Sequence, residues 1–417
     1  MTVDDICELN YLDESSTYAS NILIAINPYE SIEDLYIKEI PKYNGAYRNL
    51  PPHIYATGIT SEVGENMKIS KNQQSILITG VSGSGKTENA FRIIEFLCRT
   101  SHSSVSKDIA KSCPIMDAFG NARTSANANS SRFCKLIELF YNEEFNQSGA
   151  NIQYHLLEVN RVCARNSRES NFHVFYLLLF GAPSDLLNKI MLNSTIIYQY
   201  LPDKEFVKNS YNDSKFNAID TSLHSFGLTR DEINSVYMVL SAILNLGNIQ
   251  FEANEDESCY ITSVSECFLD NSAHLLNIDT FQLKDALTNR SREISGQQIK
   301  SPLTKGAAEK IRDSLSKSLY NKLFSQLIQY INNFYSTPSS SYSIGIMDIA
   351  GFECLTEMDN TFDQLCINYA NERMQEFFID RTLLKEKQWY DAQELDIDFV
   401  SFFNNNHIVG YAFCSMH

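Results

Sequence analysis

An eight-residue stretch of this chain has the complete Gly-x4-Gly-Lys-Thr pattern of a phosphate-binding loop. Its residues are Gly80, Val81, Ser82, Gly83, Ser84, Gly85, Lys86 and Thr87. The loop follows Ser75–Thr79, a β-branched apolar run that predicts a buried strand, and apolar residues recur after it from Ala90 at the i, i+3, i+4, i+7 spacing of a helix. Because a phosphate-binding loop needs a strand before it and a helix after it, a chance match of a Gly/Ser-rich turn is a poor explanation.

The residue types in this loop are those that bind a triphosphate. Glycines let backbone N–H groups turn inward around the phosphates, and the following helix points its positive end at the same anion. Lys86 would reach the β- and γ-phosphates, and the Thr87 hydroxyl would ligate Mg²⁺. The sequence therefore predicts a nucleoside triphosphate site.

Charge and composition argue against several other classes of protein. A net charge of −17 over 417 residues argues against a general affinity for nucleic acid or for an anionic membrane. The ten cysteines include no C-x-x-C pair, which is typical of reduced thiols in a cytosolic protein. The N-terminus is acidic, unlike a signal peptide, and the longest apolar stretch, Phe172–Ala182, is about half of a membrane span. We therefore expect a soluble cytoplasmic protein without a membrane span.

Strand-like and helical segments alternate along the chain, which favours an α/β protein with helices flanking a mostly parallel central sheet. Five segments have the composition of strands: Ile22–Ile26, Ser75–Thr79, Phe133–Tyr141, Ile152–Leu157 and Tyr342–Met347. Helical patterns occupy Glu232–Leu246 and Ala307–Phe334. An apolar stripe from Phe362 to Phe377 predicts one long helix after the last strand, and core packing is its simplest explanation.

Polar residues elsewhere in the chain are predicted to complete the nucleotide site. Asp348 ends an apolar strand, the Walker-B arrangement that places a carboxylate beside Mg²⁺. Gly351 would then offer its backbone N–H to the γ-phosphate, and Glu353 would pair with a cation across the site. Arg132, in the polar loop Asn127–Phe133, is the candidate for that cation. Taken alone, the loop would be an ordinary turn, Arg132 a solvated charge, and an apolar run ending in Asp a common pattern.

Taken together, these motifs resemble those of a myosin motor domain. The phosphate loop is similar to the P-loop of that family, Asn127–Phe133 resembles its switch I, and Asp348–Glu353 is identical to its switch II signature. The family's purine-binding stretch, which lies against adenine, is matched by Asn27, Pro28, Tyr29 and Tyr36. Further blocks match at Asp117–Thr124, Tyr154–Glu158, Asn171–Tyr176, Leu244–Ile249 and, for the start of the relay helix, Phe362–Phe378. The resemblance covers nearly the whole chain, and Ser340–Tyr342 and Leu384–Gln388 look most like class VI.

The resemblance implies a P-loop NTPase fold with a largely helical upper subdomain, divided into three segments. Residues 1–125 would be the N-terminal part of the motor with the P-loop. Residues 126–341 would carry switch I and the upper actin-cleft subdomain, and residues 342–417 the switch II strand and the relay helix.

The resemblance also implies how the site would bind ATP and its metal. Lys86 and Asn127 would bind phosphate oxygens. Mg²⁺ would be held by Thr87 and Ser131, with Asp348 in the second coordination shell.

Hydrolysis would depend on the two switches. Arg132 and Glu353 would form the ion pair that closes switch I on switch II and helps hold the attacking water, with Ser130 as a candidate proton relay. Gly351 would sense the γ-phosphate, and its movement would pass to the long helix at 362–390. Such chemistry depends mainly on positioning and fixed charge.

The chain departs from the family pattern at single positions and over longer stretches. Val81 stands where Glu is usual, and Gln297 where an acidic or phosphorylatable residue tunes actin affinity. Cys134 replaces a Gly where the backbone must move, so we expect impaired switching. Part of the pattern is absent between Glu14 and Thr17, and we expect the chain to end before the lower actin-binding subdomain, the converter and the neck. Light chains or calmodulin are therefore not expected on it, and force generation by this chain alone is not expected either.

Two functions of different class follow from these observations. The first is a myosin-type ATPase at the cytoplasmic cytoskeleton, coupling Mg-ATP hydrolysis to actin binding and movement, with this chain carrying the nucleotide-site half. The alternative is an ATP-binding module or non-motile remnant without actin-activated ATPase. Binding to actin filaments that weakens with ATP would distinguish the motor from the module.

Overall fold

The computed structural model describes the chain in separate ranges. These are residues 16–19, 22–29, 36, 38–43, 51–59, 73–101, 106–125, 127–144, 146–166, 168–294, 297–335, 342–353, 361–395, 405, 408 and 410. The stretch before residue 16, the segment Ser340–Ser341 and the Gln297 side chain, all used in the sequence predictions, lie outside what is described.

The chain divides into two compact units. The first unit contains the described residues of 1–107, 130–156 and 337–417, and the second those of 108–129 and 157–336. These two units are defined by packing, whereas the three segments predicted from the sequence are defined by motifs. The division into three segments therefore stays a prediction.

Strands and helices alternate along the described residues. The strands are β1 (Ser16–Ala19), β2 (Ile22–Ala25), β3 (Gln74–Ile78), β4 (Asn121–Ala122), β5 (Ser130–Ser131), β6 (Cys134–Tyr141), β7 (Gln147–His155), β8 (Phe251–Ala253), β9 (Cys259–Ile261), β10 (Asn289–Ile294), β11 (Gln297–Pro302) and β12 (Tyr342–Asp348). The helices are α1 (Ile40–Tyr43), α2 (Ile54–Ile59), α3 (Lys86–Thr100), α4 (Ser106–Gly120), α5 (His173–Gly181), α6 (Ser184–Lys189), α7 (Lys204–Val207), α8 (Asp213–Ser225), α9 (Arg230–Gly247), α10 (Glu266–Leu275), α11 (Thr280–Thr288), α12 (Lys305–Phe334), α13 (Phe362–Ile379) and α14 (Lys385–Ala392). Short 3₁₀ turns lie at Val159–Val162, Lys208–Ser210 and Ser263–Ser265.

The first unit is built on a four-stranded mixed sheet in the order β3-β12-β6-β7. β12 runs parallel to β3, with Ile346 opposite Ile76, and antiparallel to β6, with Ile346 opposite Ile137. The expected α/β class is confirmed, but the sheet of the described strands is mixed rather than mostly parallel. The strand that runs against its neighbours is β6, which is antiparallel to β12 and, because a short hairpin joins them, to β7.

This strand order brings three chain segments to one edge of the sheet. β3 and β12 are parallel, so the loops that follow them leave at the same edge. β6 is antiparallel and begins there, with Lys135 opposite Asp348. The P-loop, the segment after Asp348 and the segment before β6 therefore meet, although they are far apart in sequence.

Helix α3 continues directly from the P-loop and packs beside β12. The predicted apolar face is confirmed, since its members are buried: Ala90, Ile93, Ile94 and Leu97. Burial of this face fixes the N-terminus of the helix against the sheet edge.

The second unit is mostly helical and has its own core. Helix α9 begins with a capping box, in which the Thr229 hydroxyl and the Glu232 carboxylate each accept a hydrogen bond from the other residue's backbone N–H. Apolar residues from α9 to α12 form a shared core: Leu246, Ile249, Phe251, Leu269, Ala273, Leu283, Leu287 and Ala308. Among the described residues, none of the helices combines the length and the apolar composition needed to cross a membrane.

The helical segment after the last strand runs from Phe362 to Ala392 and contains one irregular turn. Helix α13 passes into a π turn, Asp380–Leu384, and then into α14. The predicted long helix is confirmed. Phe362 and Phe377 at the two ends of its apolar stripe are exposed, whereas the stripe residues between them are partly buried.

Candidate active site

The P-loop joins β3 to α3 through three glycines with positive φ. Gly80, Gly83 and Gly85 have φ of 152°, 82° and 89°, a region that disfavours residues with a Cβ. Gly85 is the N-cap of α3, so the unpaired N–H groups of the first helical turn follow the loop directly. The predicted strand–loop–helix context is present, and Val81 within it is 67% exposed.

The side chain of Lys86 folds back into the P-loop. Its ammonium group donates hydrogen bonds of 2.8 Å to the backbone carbonyl oxygens of both Gly80 and Val81. Burial lowers the pKa of Lys86, and the carboxylates of Asp348 and Glu353 oppose that shift. The cation therefore sits between the loop backbone and the acidic side of the site.

Two hydroxyl groups meet at the start of α3. The Thr87 Oγ1 and Ser131 Oγ atoms lie 3.0 Å apart, as required if both are to ligate one metal ion. Asp348 is buried nearby on β12, and Lys135 Nζ lies 3.3 Å from its Oδ2 without hydrogen-bond geometry. Within the described residues neither carboxylate oxygen of Asp348 accepts a hydrogen bond, so both could accept from metal-bound water.

Hydroxyl ligands of this kind suit magnesium. The described residues contain no cluster of three or more His, Cys, Asp and Glu side chains that would hold a metal by themselves. Magnesium is usually bound through one or two protein oxygens together with the phosphates of its substrate and water. The donor set of Thr87, Ser131 and Asp348 therefore fits Mg²⁺ that arrives with a nucleotide.

A buried ion pair joins the two switch segments. Arg132 Nη1 lies 2.8 Å from Glu353 Oε1, and both side chains are nearly inaccessible to solvent. The Ser130 hydroxyl lies 3.3 Å from each of these two atoms. The predicted trio of Ser130, Arg132 and Glu353 is therefore brought together, and Arg132 is not a solvated charge.

Gly351 lies directly against the P-loop. A Cβ at this residue would lie 2.6 Å from the backbone N of Ser82 and 2.7 Å from Lys86 Nζ, closer than real Cβ atoms approach. A residue with a Cβ at this position could therefore not bring the backbone after β12 this close to the P-loop.

The predicted purine-binding residues divide into two groups. Asn27 is joined to the P-loop, because its amide donates a 2.9 Å hydrogen bond to the Gly83 carbonyl oxygen. Pro28 and Tyr29 are exposed beside it. Tyr36 instead faces α3, with the Arg92 guanidinium 4.8 Å from its ring centroid, and burial raises its pKa.

Asn127 belongs to the second unit, where its side chain folds back on its own loop. Its amide donates to the Asn129 carbonyl oxygen at 3.2 Å, and its Oδ1 accepts from the Asn129 backbone N–H at 3.0 Å. The Thr124 hydroxyl accepts from the Asn127 backbone N–H. These bonds define one conformation for the first part of switch I.

Three residues that sequence reasoning did not single out support the site. Lys135 pairs with Asp348, and the only sequence signal was that it is one of two charged residues on a mostly apolar strand. Asn368 of α13 exchanges two hydrogen bonds with the Glu353 backbone, at 3.1 and 2.8 Å. Asn371, one turn further, donates to the Ala350 carbonyl oxygen at 2.7 Å. Two asparagines one helical turn apart on a predicted helix could have indicated that its first part binds a loop.

Cys134 begins β6 next to Arg132 and Phe133 and is buried. Burial raises the pKa of its thiol, while a hydrogen bond with the Ala350 backbone opposes the shift. The thiol therefore touches the segment that carries Gly351, a contact that glycine could not make. Impaired switching stays a prediction.

A glycine loop at a helix N-terminus, an inward lysine and paired hydroxyls define a P-loop nucleotide-binding protein. Comparison with known sequences refines this class, because the model of the myosin head (motor domain) family matches residues 8–411. The chain therefore belongs to the myosin head family. Use of a nucleotide and a divalent metal is general in that family.

Individual relatives come from several myosins. The chain is 35% identical to myosin heavy chain 95F of Drosophila melanogaster, over 97% of this chain and 36% of that protein. It is 33% identical to unconventional myosin-VI of Mus musculus, over 98% of this chain and 36% of that protein. It is 38% identical to the myosin-I heavy chain of Dictyostelium discoideum, over 92% of this chain and 16% of that protein. The chain thus spans about a third of the length of the first of these relatives, and the class within the family stays a prediction.

Proposed function

We propose that this chain is the nucleotide-site part of an actin-based motor that hydrolyses ATP with Mg²⁺. Membership of the myosin head family supports this function, and the buried Arg132–Glu353 pair is the observation that carries it. An ion pair closed over a P-loop positions groups for attack on a phosphate, whereas simple nucleotide binding would not require it.

The substrate would be held by residues on three loops. The backbone N–H groups of Gly80–Thr87 would surround the phosphates, and Lys86 would exchange its carbonyl partners for phosphate oxygens. Thr87 and Ser131 would ligate Mg²⁺, and Asp348 would accept hydrogen bonds from its water. Bound Mg²⁺ would supply positive charge that stabilises the developing charge on the phosphates. Asn27 would orient the loop near the base, and Asn127 would reach a phosphate oxygen.

Hydrolysis would be carried out by the switch residues. The Gly351 N–H would donate to the γ-phosphate, since its backbone is already packed against Ser82. The Arg132–Glu353 pair would fix the attacking water and exclude other solvent. The Ser130 hydroxyl, within 3.3 Å of both charged groups, would relay the water's proton to the phosphate.

Membership of the family also supports a partner and a place of action. Actin filaments would be the partner, and the cytoplasmic cytoskeleton would be the site of action. Asn368 and Asn371 would pass the movement of the segment 350–353 to α13, because each is hydrogen-bonded to that segment's backbone. The three motif segments, 1–125, 126–341 and 342–417, and the likeness to class VI belong to this proposal.

The experiment measures Mg-ATP binding and turnover by the purified chain, with and without actin filaments. Lys86→Ala should abolish binding of a fluorescent ATP analogue, and Lys284→Ala, at a partly exposed lysine on α11, should not change it. Arg132→Glu and Glu353→Arg should each lower turnover about 100-fold or more, since each places like charges together in a buried site. The double exchange should recover part of the loss, because it restores the pair with reversed polarity.

The outcomes separate the functions. Actin binding that weakens with ATP, together with turnover that actin stimulates, would support the motor. Lys86-dependent binding without turnover would show an ATP-binding module instead. Absence of binding in a folded sample would disprove both.

A further inference from the structure

The side chain of Asn129 in switch I is held by a histidine from another helix. His173, the first residue of α5, places its Nε2 atom 3.0 Å from Asn129 Oδ1. The Asn121 amide donates to the same oxygen at 3.1 Å. On its other side, His173 Nδ1 lies 2.6 Å from the Tyr211 hydroxyl. The histidine therefore bridges the switch I loop and the segment before α8.

The partners of His173 determine which ring nitrogen carries its proton. An amide oxygen can only accept, so Nε2 must be the protonated nitrogen that donates to Asn129. Nδ1 is then the acceptor, and the Tyr211 hydroxyl donates to it. Burial, with the positive charges of Lys215 and Arg161, lowers the pKa of His173 to about 4, so the ring is neutral near pH 7 and keeps this one tautomer.

Several other hydrogen bonds of the switch I loop run between its own residues. Asn127 and Asn129 exchange two hydrogen bonds, and Thr124 bonds to Asn127. These bonds define the shape of the loop. The bonds from His173 and Asn121 to Asn129 Oδ1 join the loop to α5 and to β4. Asn129 directly precedes Ser130, Ser131 and Arg132 in the chain.

We infer that His173 is a positioning residue of the nucleotide site, which fixes the conformation of Asn129, the residue directly before Ser130, Ser131 and Arg132. This inference rests on the proposed hydrolysis. His173 touches neither substrate nor metal and acts through the backbone. An error of about 1 Å in such a group can lower a rate about 100-fold without loss of binding.

The test compares His173→Phe, His173→Gln and Tyr211→Phe in the full chain. Phenylalanine keeps an aromatic ring but removes both hydrogen bonds, and we expect kcat for ATP hydrolysis to fall about 10- to 100-fold while KM changes less than about threefold. Glutamine can donate to Asn129 and accept from Tyr211, and it should recover most of the rate. Tyr211→Phe leaves the bond to Asn129 in place and should have a smaller effect. His274→Phe, at an exposed position of α10, is the matched control and should behave as wild type.

A double-mutant cycle and hydrogen exchange complete the test. His173→Phe and Asn129→Ala should not be additive in kcat, because both remove the same contact. In His173→Phe, amide exchange over residues 127–132 should be about tenfold faster, while the strands β8 and β9 remain unchanged.

Each outcome is decisive. Additive effects, equal losses in Phe and Gln variants, or a loss that appears in KM alone would overturn the inference. If the wild-type chain does not hydrolyse ATP, the proposed function fails. The exchange measurement then still tests the positioning, because unchanged protection of residues 127–132 in His173→Phe would overturn it independently.

Discussion

The position of Gly351 has no room for a Cβ. A Cβ there would lie 2.6 Å from the Ser82 backbone N, and neither backbone can yield without moving the P-loop or the end of β12. We predict that Gly351→Ala lowers ATP turnover about 100-fold, since it separates two parts of the site. Phosphate release in single-turnover experiments checks this.

The control for this prediction is another glycine. Gly306→Ala, where a Cβ would meet nothing within 4 Å, should leave turnover unchanged. Equal effects of the two substitutions would contradict the close packing of Gly351 on the P-loop.

The lowered pKa of His173 makes the free energy of unfolding depend on pH. Its folded pKa of about 4 lies below the ordinary value of 6.5, so the unfolded chain binds its proton first as the pH falls. The contribution of His173 to stability is therefore complete above about pH 6.5 and is lost as the pH falls towards 4. We expect a loss on the order of 2 to 3 kcal/mol.

Urea unfolding between pH 7 and pH 4.5 measures this loss, and His173→Gln is the comparison. The variant should unfold with a shallower dependence on pH than the wild type. Identical slopes would show that the pKa of His173 is the same in the folded and unfolded chain.

At the scale of elements, α13 is attached to the site by two asparagines, Asn368 and Asn371. Asn368 accepts from the Glu353 N–H and donates to the Glu353 carbonyl oxygen, so the segment and the helix should move together. We predict that Asn368→Ala lowers turnover about tenfold, with ATP affinity nearly unchanged. It should also reduce the ATP-induced change in fluorescence of Trp389, the single tryptophan of the chain, on α14.

Gln375→Ala provides the control, since Gln375 is an exposed residue of the same helix. It should retain both the turnover and the fluorescence change. A normal fluorescence change in Asn368→Ala would mean that the helix responds to nucleotide by another route.

Elements with local sequence patterns could be predicted, whereas contacts between segments that are distant in sequence mostly could not. The P-loop, β12 and the helical segment after it have local patterns, so their type and approximate bounds were predictable. The pairing of Lys135 with Asp348 depends on the register between β6 and β12, which are distant in sequence. The contact of His173 with Asn129 depends on how α5 packs, and no spacing rule indicates it. The Arg132–Glu353 pair was predicted from the charges of two polar segments, and the family pattern then joined the same two residues.

At the scale of the whole molecule, the candidate nucleotide residues lie mostly in the first unit, which suggests a stability test. Ligand at 100 times its Kd stabilises the folded state by about 2.7 kcal/mol. We predict that Mg-ATP raises the melting temperature by roughly 5 °C, and that AMP, which lacks the phosphates that Lys86 would contact, gives a much smaller shift.

Differential scanning calorimetry measures both shifts. The increase with Mg-ATP should be absent in Lys86→Ala, which keeps the glycines of the loop. An equal shift with AMP and ATP would contradict phosphate recognition by the P-loop and would place the binding energy on the base.

The π turn at Asp380–Leu384 has a geometric consequence for the end of α14. A π turn contains one residue more than an α-helical turn, and each residue of a helix corresponds to about 100° around its axis. Loss of one residue here would leave the helix continuous but would rotate α14 about its own axis by that angle. The number of residues in this single turn therefore determines on which side of the helix axis Trp389 and its neighbours lie.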